Sequence, residues 1–484
     1  MTSPVTPQSE VSIDWVKMEE WDRKYYIHNI YGQDEYNPVF VSKTEGRHFY
    51  LKDGTKILDF MSQLISDHMG QRHPKIISGI KDALDRYGHV SFAFTTDYRA
   101  KASKLLIEDI IQEDWAGRVR FMSTGTEGVE LALHMAKLYT GRPYIITQEH
   151  SFHGWTTGAG GGCSRLRGYA NNLASPTDPN SYTDVPGFPT PGYYMIPAPY
   201  CYRCPVGHTY PDCKSRMPGG KLPCLLPLEH LIEVIGPENI AAVITEIMFG
   251  GSGIYSPPEY IPQLREITKK HGILWIDDEV ITGFGRLGKW FAYQLYEDVF
   301  PDLMVIGKGL TSCALPSGGV VANKEIGEFF DRQRWWSGSS HEGHPITMAA
   351  IIANLEAMIE EDIVSKATET GKYLETQLRE LEPRHKSIGQ IAGAGMFWVV
   401  DIVKNRETRE AFVKEDRNSM RAGDLSHWPI NIVLQKCLEK GVLLSGFTPN
   451  TVKIGPALTS TREEIDQGID AFDYALGALD KMCD

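Results

Sequence analysis

The chain has 484 residues, 42% of them hydrophobic and 23% charged, with a formal net charge of −13. This is the make-up of a globular protein long enough for two or three domains, and its acidic balance argues against a nucleic-acid-binding surface. The first residues lack the basic start and apolar core of a signal peptide, no apolar run is long enough to span a bilayer, and eight cysteines in so long a chain do not make a disulfide scaffold, so a cytoplasmic protein with reduced thiols is expected.

The spacing predicts an amphipathic helix over 15–26, then a hairpin over 49–60 that turns at Asp53-Gly54. The next stretch contains Leu64, Ile65, His68 and His73; the two histidines, on a loop, read as structural. A helix is expected over 74–87. Residues 119–122 read as a strand that runs into Ser123-Thr124-Gly125-Thr126-Glu127-Gly128 and then a helix through Tyr139, with Leu131, Met135 and Leu138 at the spacing of one face. A strand, small hydroxylic and glycine residues, then a helix N-terminus make an anion site, because free N–H groups and the helix dipole favour a phosphate. An ordinary capped turn has the same signature. A strand over 144–147 precedes Ser151-Phe152-His153-Gly154, where an aromatic at a strand end can stack on a planar cofactor ring or simply fill the core.

Residues 157–227 are rich in Gly, Pro, Tyr and Cys and read as an irregular excursion. Cys201 and Cys204, followed by Cys213 and Cys224, have the makings of a zinc site. The spacing of the last two is unusual, and the expectation is reduced cysteines packing a loop with no metal. Regular structure resumes with a helix over 228–235, a strand over 241–246 that ends at Glu246, and a helix over 260–271 closed by Gly272.

Two stretches organise the chain. Gly272-Ile273-Leu274-Trp275-Ile276-Asp277-Asp278-Glu279-Val280-Ile281 and Pro301-Asp302-Leu303-Met304-Val305-Ile306-Gly307-Lys308 each begin as a short apolar run, the pattern of a buried parallel strand. Each delivers a charged residue at the strand's carboxyl end, where open α/β sheets place their ligands. A carboxylate and an amine delivered this way suit pyridoxal 5′-phosphate, which needs a partner for its ring nitrogen and a lysine that condenses with its carbonyl. A strand over 318–322, a crossing over 335–345, a helix over 346–360, a strand over 396–400 and a last helix near Met482 follow, the later ones in a smaller α+β domain.

The chain resembles the class III (subgroup II, ω-) aminotransferases, which are fold-type I enzymes. The resemblance runs from about Phe49 to the C-terminus and is most specific at Asp278-Glu279-Val280, Thr282-Gly283-Phe284-Gly285-Arg286, Gly288 and Lys308. It implies an α/β fold: a large domain at 76–340 with a mostly parallel seven-stranded sheet, and a smaller α+β domain from 1–75 and 341–484. It implies that Lys308 holds the cofactor and shuttles a proton, that Asp278 pairs with the ring nitrogen, and that Gly125 and Thr126 hold the phosphate. Phe152 would stack on the ring, with His153, Glu246 and Ile281 beside it. Ser340 would reach the partner subunit's phosphate, which implies a homodimer or a dimer of dimers. Leu64, Ile65 and Lys453 are the expected substrate residues.

The departures narrow the substrate. The glutamate that parks a mobile arginine in some members is Gly251 here, and the positions of the arginine itself are Gly446 or Lys453. Lysine attracts a carboxylate as a point charge but lacks the bidentate fork. The expected reaction moves an amino group from a primary amine or ω-amino acid to a small keto acid such as pyruvate. A decarboxylase or phospholyase on the same scaffold, a 2-oxoglutarate-using aminotransferase, and a binding protein that lost activity are the alternatives; Lys308 and Asp278 weigh against the last.

Overall fold

The computed structural model describes residues 13–28, 33, 37, 39–163, 190–414 and 428–484. The middle of the Gly/Pro/Cys-rich stretch, 164–189, lies outside the described residues.

Seven strands form the central sheet: β1 (Ala116–Met122), β2 (Tyr144–Gln148), β3 (Tyr193–Ile196), β4 (Ile240–Thr245), β5 (Leu274–Asp278), β6 (Leu303–Gly307) and β7 (Gly318–Asn323). Their order is β1-β7-β6-β5-β4-β2-β3. β7 runs antiparallel to both its neighbours and the other pairings are parallel. The central strands β4, β5 and β6 are buried along their whole length, which is why they read as unbroken apolar runs rather than alternating ones. After β3 the chain returns to β4 and then proceeds the other way across the sheet, so a crevice opens at the carboxyl ends of β2 and β4.

β3 corrects the sequence reading of 157–227 as wholly irregular. Its four residues pair in parallel with β2 and form the sheet edge. A four-residue strand set among Gly and Pro gives no periodicity to detect. The helix Gly125–Thr140 also differs in part from expectation: Leu131 and Met135 are buried, but Leu138 is 43% exposed. The buried surface of this helix runs instead over Val129, Ala132, Leu133 and Ala136, and its last turn leaves the core. The helix expected over 74–87 spans Pro74–Leu84.

The two ends of the chain are built together. Strands Val41–Glu45, His48–Leu51 and Lys56–Asp59 form an antiparallel meander, and Val442–Leu443 adds to it in parallel beside Lys56–Asp59. The predicted Asp53-Gly54 hairpin is its turn, with Gly54 at φ +87°. Strands Ile388–Ala394, Phe397–Ile402, Thr451–Ile454 and Ser445–Thr448 make a second small sheet. The helix Pro345–Glu360 is buried around most of its circumference and packs on Pro74–Leu84.

Arg286 ties these parts. Its buried guanidinium donates to the carbonyls of Met396 (3.1 Å) and Pro456 (2.5 Å) and to Ser62 Oγ (3.3 Å). Burial pushes its pKa down to about 9, against the raising effect of Asp67 and Asp59.

Candidate active site

The sheet topology puts Asp278 and Lys308 on adjacent parallel strands. Asp278 is the last residue of β5 and pairs in register with Val305 of β6; Lys308 follows the last residue of β6. The backbone at Lys308 lies at φ +39°, an uncommon conformation for a residue with a side chain. The next residue has to be glycine: a Cβ on Gly309 would stand 2.3 Å from Cε1 of the His68 ring. His68 is buried and its Nδ1 lies 3.0 Å from the carbonyl of Phe284, so it is part of the packing under the lysine, the structural role expected of it. Burial lowers the pKa of Lys308, opposed by Cys313, Asp278 and Glu246.

Three acidic residues follow one another at the end of β5, and alternation along the strand sorts them. Asp278 Oδ2 meets His153 Nδ1 at 2.7 Å, and its Oδ1 accepts from the Val280 N–H at 3.2 Å. Asp277 and Glu279 are buried with other groups: Glu279 accepts from Tyr293 N–H at 3.0 Å and from Thr282, and burial pushes its pKa up to about 7. Burial alone would lower the pKa of His153, but the hydrogen bond and charge of Asp278, with help from Glu246, raise it. His153 Nε2 is buried without a hydrogen-bond partner among the described residues.

Glu246 stands just past β4, at the crevice. Its carboxylate accepts from Phe152 N–H (2.9 Å) and Gly250 N–H (2.7 Å). Burial pushes its pKa up to about 7; His153 lowers it and Asp278 raises it. The one carboxylate therefore fixes the backbone of two loops, and Phe152 is held half-buried beside it. Ile281 packs on Gly250: a Cβ there would lie 1.9 Å from Ile281 Cδ1.

Gly125 and Thr126 open a helix of 16 residues, where the first amides have no intrahelical partner. Thr124 caps it, accepting from Glu127 N–H at 3.1 Å. A Cβ on Gly125 would press on both Val280 methyls at 2.9 Å, so the turn lies directly against the β5 loop that carries Asp278. Thr126 meets Gly154, whose φ of +132° also requires glycine. The Gly125-Thr126 turn, the loop of Phe152 and Gly154, and the acidic strand end are thus in contact. Ser340 is exposed on the chain, while its neighbour Ser339 lies 3.2 Å from Glu127 at the same helix start. That contact has no signature in the chain, because nothing in a Ser-Ser pair says which hydroxyl faces inward.

The expected substrate residues lie on the small-sheet side. Leu64 is 56% exposed and Ile65 is buried. Their short segment is strained, with positive φ at Ser62, Gln63 and Ile65, and it is held by Asp59, which accepts from the Gln63 N–H at 2.8 Å, and by Ser62 Oγ donating to the Gly455 carbonyl at 2.6 Å. Lys453 is 1% exposed and its ammonium donates to the carbonyls of Gly250 (2.5 Å) and Gly251 (2.7 Å). The sequence placed it as a cation for a carboxylate; the structure gives it backbone partners. Gly446 has no space for a side chain: a Cβ would lie 2.5 Å from Ile430 Cγ1.

Cys201, Cys204, Cys213 and Cys224 line one small cavity of ≈ 20 Å³ together with His208, and all four are free thiols. His73 pairs with Glu361 at 2.9 Å, away from these groups. No helix among the described residues is long and apolar enough to cross a membrane.

The family model "Aminotransferase class-III" matches residues 30–476. A putrescine–pyruvate aminotransferase of Pseudomonas aeruginosa is 31% identical over 474 residues, covering 93% of this chain and 94% of its own. Two solved structures are similar throughout. An S-selective transaminase from Bacillus megaterium has a TM-score of 0.91, and one from Arthrobacter sp. with alanine bound has 0.90; each is 45% identical and covers 97% of this chain and 99% of its own.

Proposed function

The chain belongs to the class-III aminotransferases, and from that premise we propose that it moves an amino group from a primary amine or ω-amino acid to a small keto acid such as pyruvate, with pyridoxal 5′-phosphate as cofactor. The observation that carries this reading is the delivery of Asp278 and Lys308 to the ends of paired strands β5 and β6. The donor set fits the cofactor: an amine, a carboxylate tied to a histidine, a helix start with free amides, and a half-buried aromatic. When bound, the cofactor supplies a carbonyl that condenses with amines and a ring that accepts an electron pair.

In this reading the residues divide the work. Lys308 Nζ holds the cofactor and carries a proton between two carbon positions; a lowered pKa suits an amine to both tasks near neutral pH. Asp278 holds the proton on the ring nitrogen, and His153 fixes the carboxylate that does so. Gly125 and Thr126 bind the phosphate, Phe152 stacks on the ring, Glu246 and Ile281 shape the pocket beside it, and Leu64, backed by Ile65, meets the substrate. Lys453 acts through the Gly250–Gly251 turn rather than by direct contact.

Substrate choice follows from what is missing. With no room at Gly446 and a glycine at 251, the arginine fork and its parking carboxylate are both absent from those positions. A second carboxylate on the acceptor then lacks a bidentate partner. Pyruvate is therefore preferred to 2-oxoglutarate, and the names of the relatives support this: one pairs putrescine with pyruvate and one holds alanine, the amino form of pyruvate.

We further propose a homodimer or a dimer of dimers in the cytoplasm. Ser340 is exposed, and Trp155 (78%), Phe94 (69%) and Trp336 (101%) stand exposed on or near the site segments, a concentration of aromatic surface that suits burial by a second copy. The proposed partition is a large domain at 76–340 with a small domain from 1–75 and 341–484.

A panel of amine donors read by cofactor absorbance, each with pyruvate or 2-oxoglutarate, tests the reading. Primary amines or ω-amino acids with pyruvate should turn over best. Release of carbon dioxide would assign a decarboxylase and release of phosphate a phospholyase. Glutamate with 2-oxoglutarate as the best pair would overturn the substrate assignment.

A further inference from the structure

We propose that His89, His341 and His344 form a binding site for a divalent first-row transition metal of the zinc class. One metal-binding atom from each of these side chains lies within 4.8 Å of the others. Among the described residues no other group of three or more His, Cys, Asp or Glu side chains is so closely gathered. The four cysteines share a cavity wall but do not meet this distance, so the site falls on imidazole rather than thiolate.

The three rings come from two separate parts of the chain. His89 lies between the helices Pro74–Leu84 and Asp97–Lys104; His341 and His344 lie in the segment that enters Pro345–Glu360. A turn in which the His344 N–H donates to the His341 carbonyl at 3.2 Å sets the last two on one side. Ring centroids are 5.8 Å apart for His89 and His341, 5.7 Å for His89 and His344, and 5.8 Å for His341 and His344. The histidines thus form a closed triangle rather than a chain.

Their hydrogen bonding sets them apart from other histidines of the molecule. His73, His153 and His385 each meet a carboxylate, and His68 meets a backbone carbonyl. His89 and His341 are exposed and His344 is half-buried, and no ring nitrogen of the three has a hydrogen bond among the described residues. Glu342, the acidic neighbour within the segment, is held by both its oxygens on Arg120 at 2.8 Å. Three imidazoles with no competing acceptor, two from an H-x-x-H turn and one from across a loop, make a three-nitrogen ligand set with a fourth position open to water. Zinc–nitrogen bonds of about 2.0–2.1 Å would draw the nitrogens to within about 3.5 Å of each other, a change that side-chain rotation supplies. The bound ion would pin the loop of His89 to the segment that carries Ser340. The site itself does not depend on the proposed reaction.

The test uses the purified, cofactor-loaded enzyme, stripped of metal by a chelator and titrated with Zn²⁺ or Co²⁺ by equilibrium dialysis. About one ion per chain is expected, with a raised melting temperature. Cobalt should show visible ligand-field bands without the near-ultraviolet sulfur-to-cobalt band that thiolate ligands produce. His341→Ala and, because His344 caps a helix, His89→Ala in its place should each weaken binding by more than about a hundredfold, beyond the roughly 10–100-fold that loss of an outer contact costs. Binding that is absent, that survives both substitutions, or that carries the sulfur band would overturn the proposal; the last would move the metal to Cys201, Cys204, Cys213 and Cys224.

Discussion

The wall of the cleft that carries Lys308 and Asp278 and the wall that carries Leu64 and Lys453 are built in different ways. The first is made by the ends of neighbouring strands in one sheet. Its carboxylates are tied to the neighbouring strand ends: Asp278 to His153, Glu246 to the backbones of Phe152 and Gly250. The second is assembled from residues nearly 400 positions apart, as when Ser62 donates to Gly455. Its backbone is strained at Ser62, Gln63 and Ile65, and its one lysine is turned onto carbonyls of the first wall. In the proposed function the first wall carries the reacting groups and the second meets the substrate.

Four substitutions break or sharpen this contrast. Lys308→Ala should lower turnover by about 10⁴-fold, the upper range for loss of a proton carrier, while leaving cofactor binding measurable. Asp278→Asn should lower kcat/KM by about 10³-fold, since a fixed charge is lost from a buried site. It should also return the His153 pKa toward the value that burial alone would set, read by NMR titration. If either variant keeps near-normal rates, the rigid wall is not where the chemistry resides.

The third concerns the joint between the walls. Burial, then the nearby Asp59, pushes the Asp67 pKa up to about 7. Between about pH 4 and pH 7 the folded protein holds a proton there that the unfolded chain has released, so stability falls as pH rises through that window and is level above it. Asp67→Asn should remove a pH-dependent loss on the order of 4 kcal/mol, seen as a flatter plot of denaturation midpoint against pH. An unchanged slope would show that Asp67 is not buried beside Asp59 as described.

The smallest effect is expected at Lys453. Lys453→Ala should raise the KM for pyruvate about tenfold and change the amine half-reaction less, because it loosens the Gly250–Gly251 turn without touching the reacting amine. Equal losses in both half-reactions would place Lys453 with the rigid wall.

The rigid wall was legible in the sequence because its parts are local. Apolar runs ending in Asp278 and Lys308, and a Gly125-Thr126 helix start, each occupy a dozen residues with a period or a cap to detect. What the sequence left open is non-local. The lack of space at Gly446 depends on Ile430, the commitment of Lys453 depends on Gly250, and the strain at Gln63 depends on Asp59 and Gly455. β3 escapes a sequence reading because four residues among glycines and prolines have no pattern of their own, and Leu138 shares the spacing of Leu131 and Met135 but lies in the last turn, where the helix leaves the core. The pairing of Lys56–Asp59 with Val442–Leu443 belongs to the same class: neither strand announces its partner.

The most direct test of the account is where the cofactor is held. Borohydride reduction of the purified enzyme followed by peptide mapping should place pyridoxal phosphate on Lys308, at the end of β6 beside Asp278. A map that places the reduced cofactor on any other lysine, or finds none attached, would contradict it.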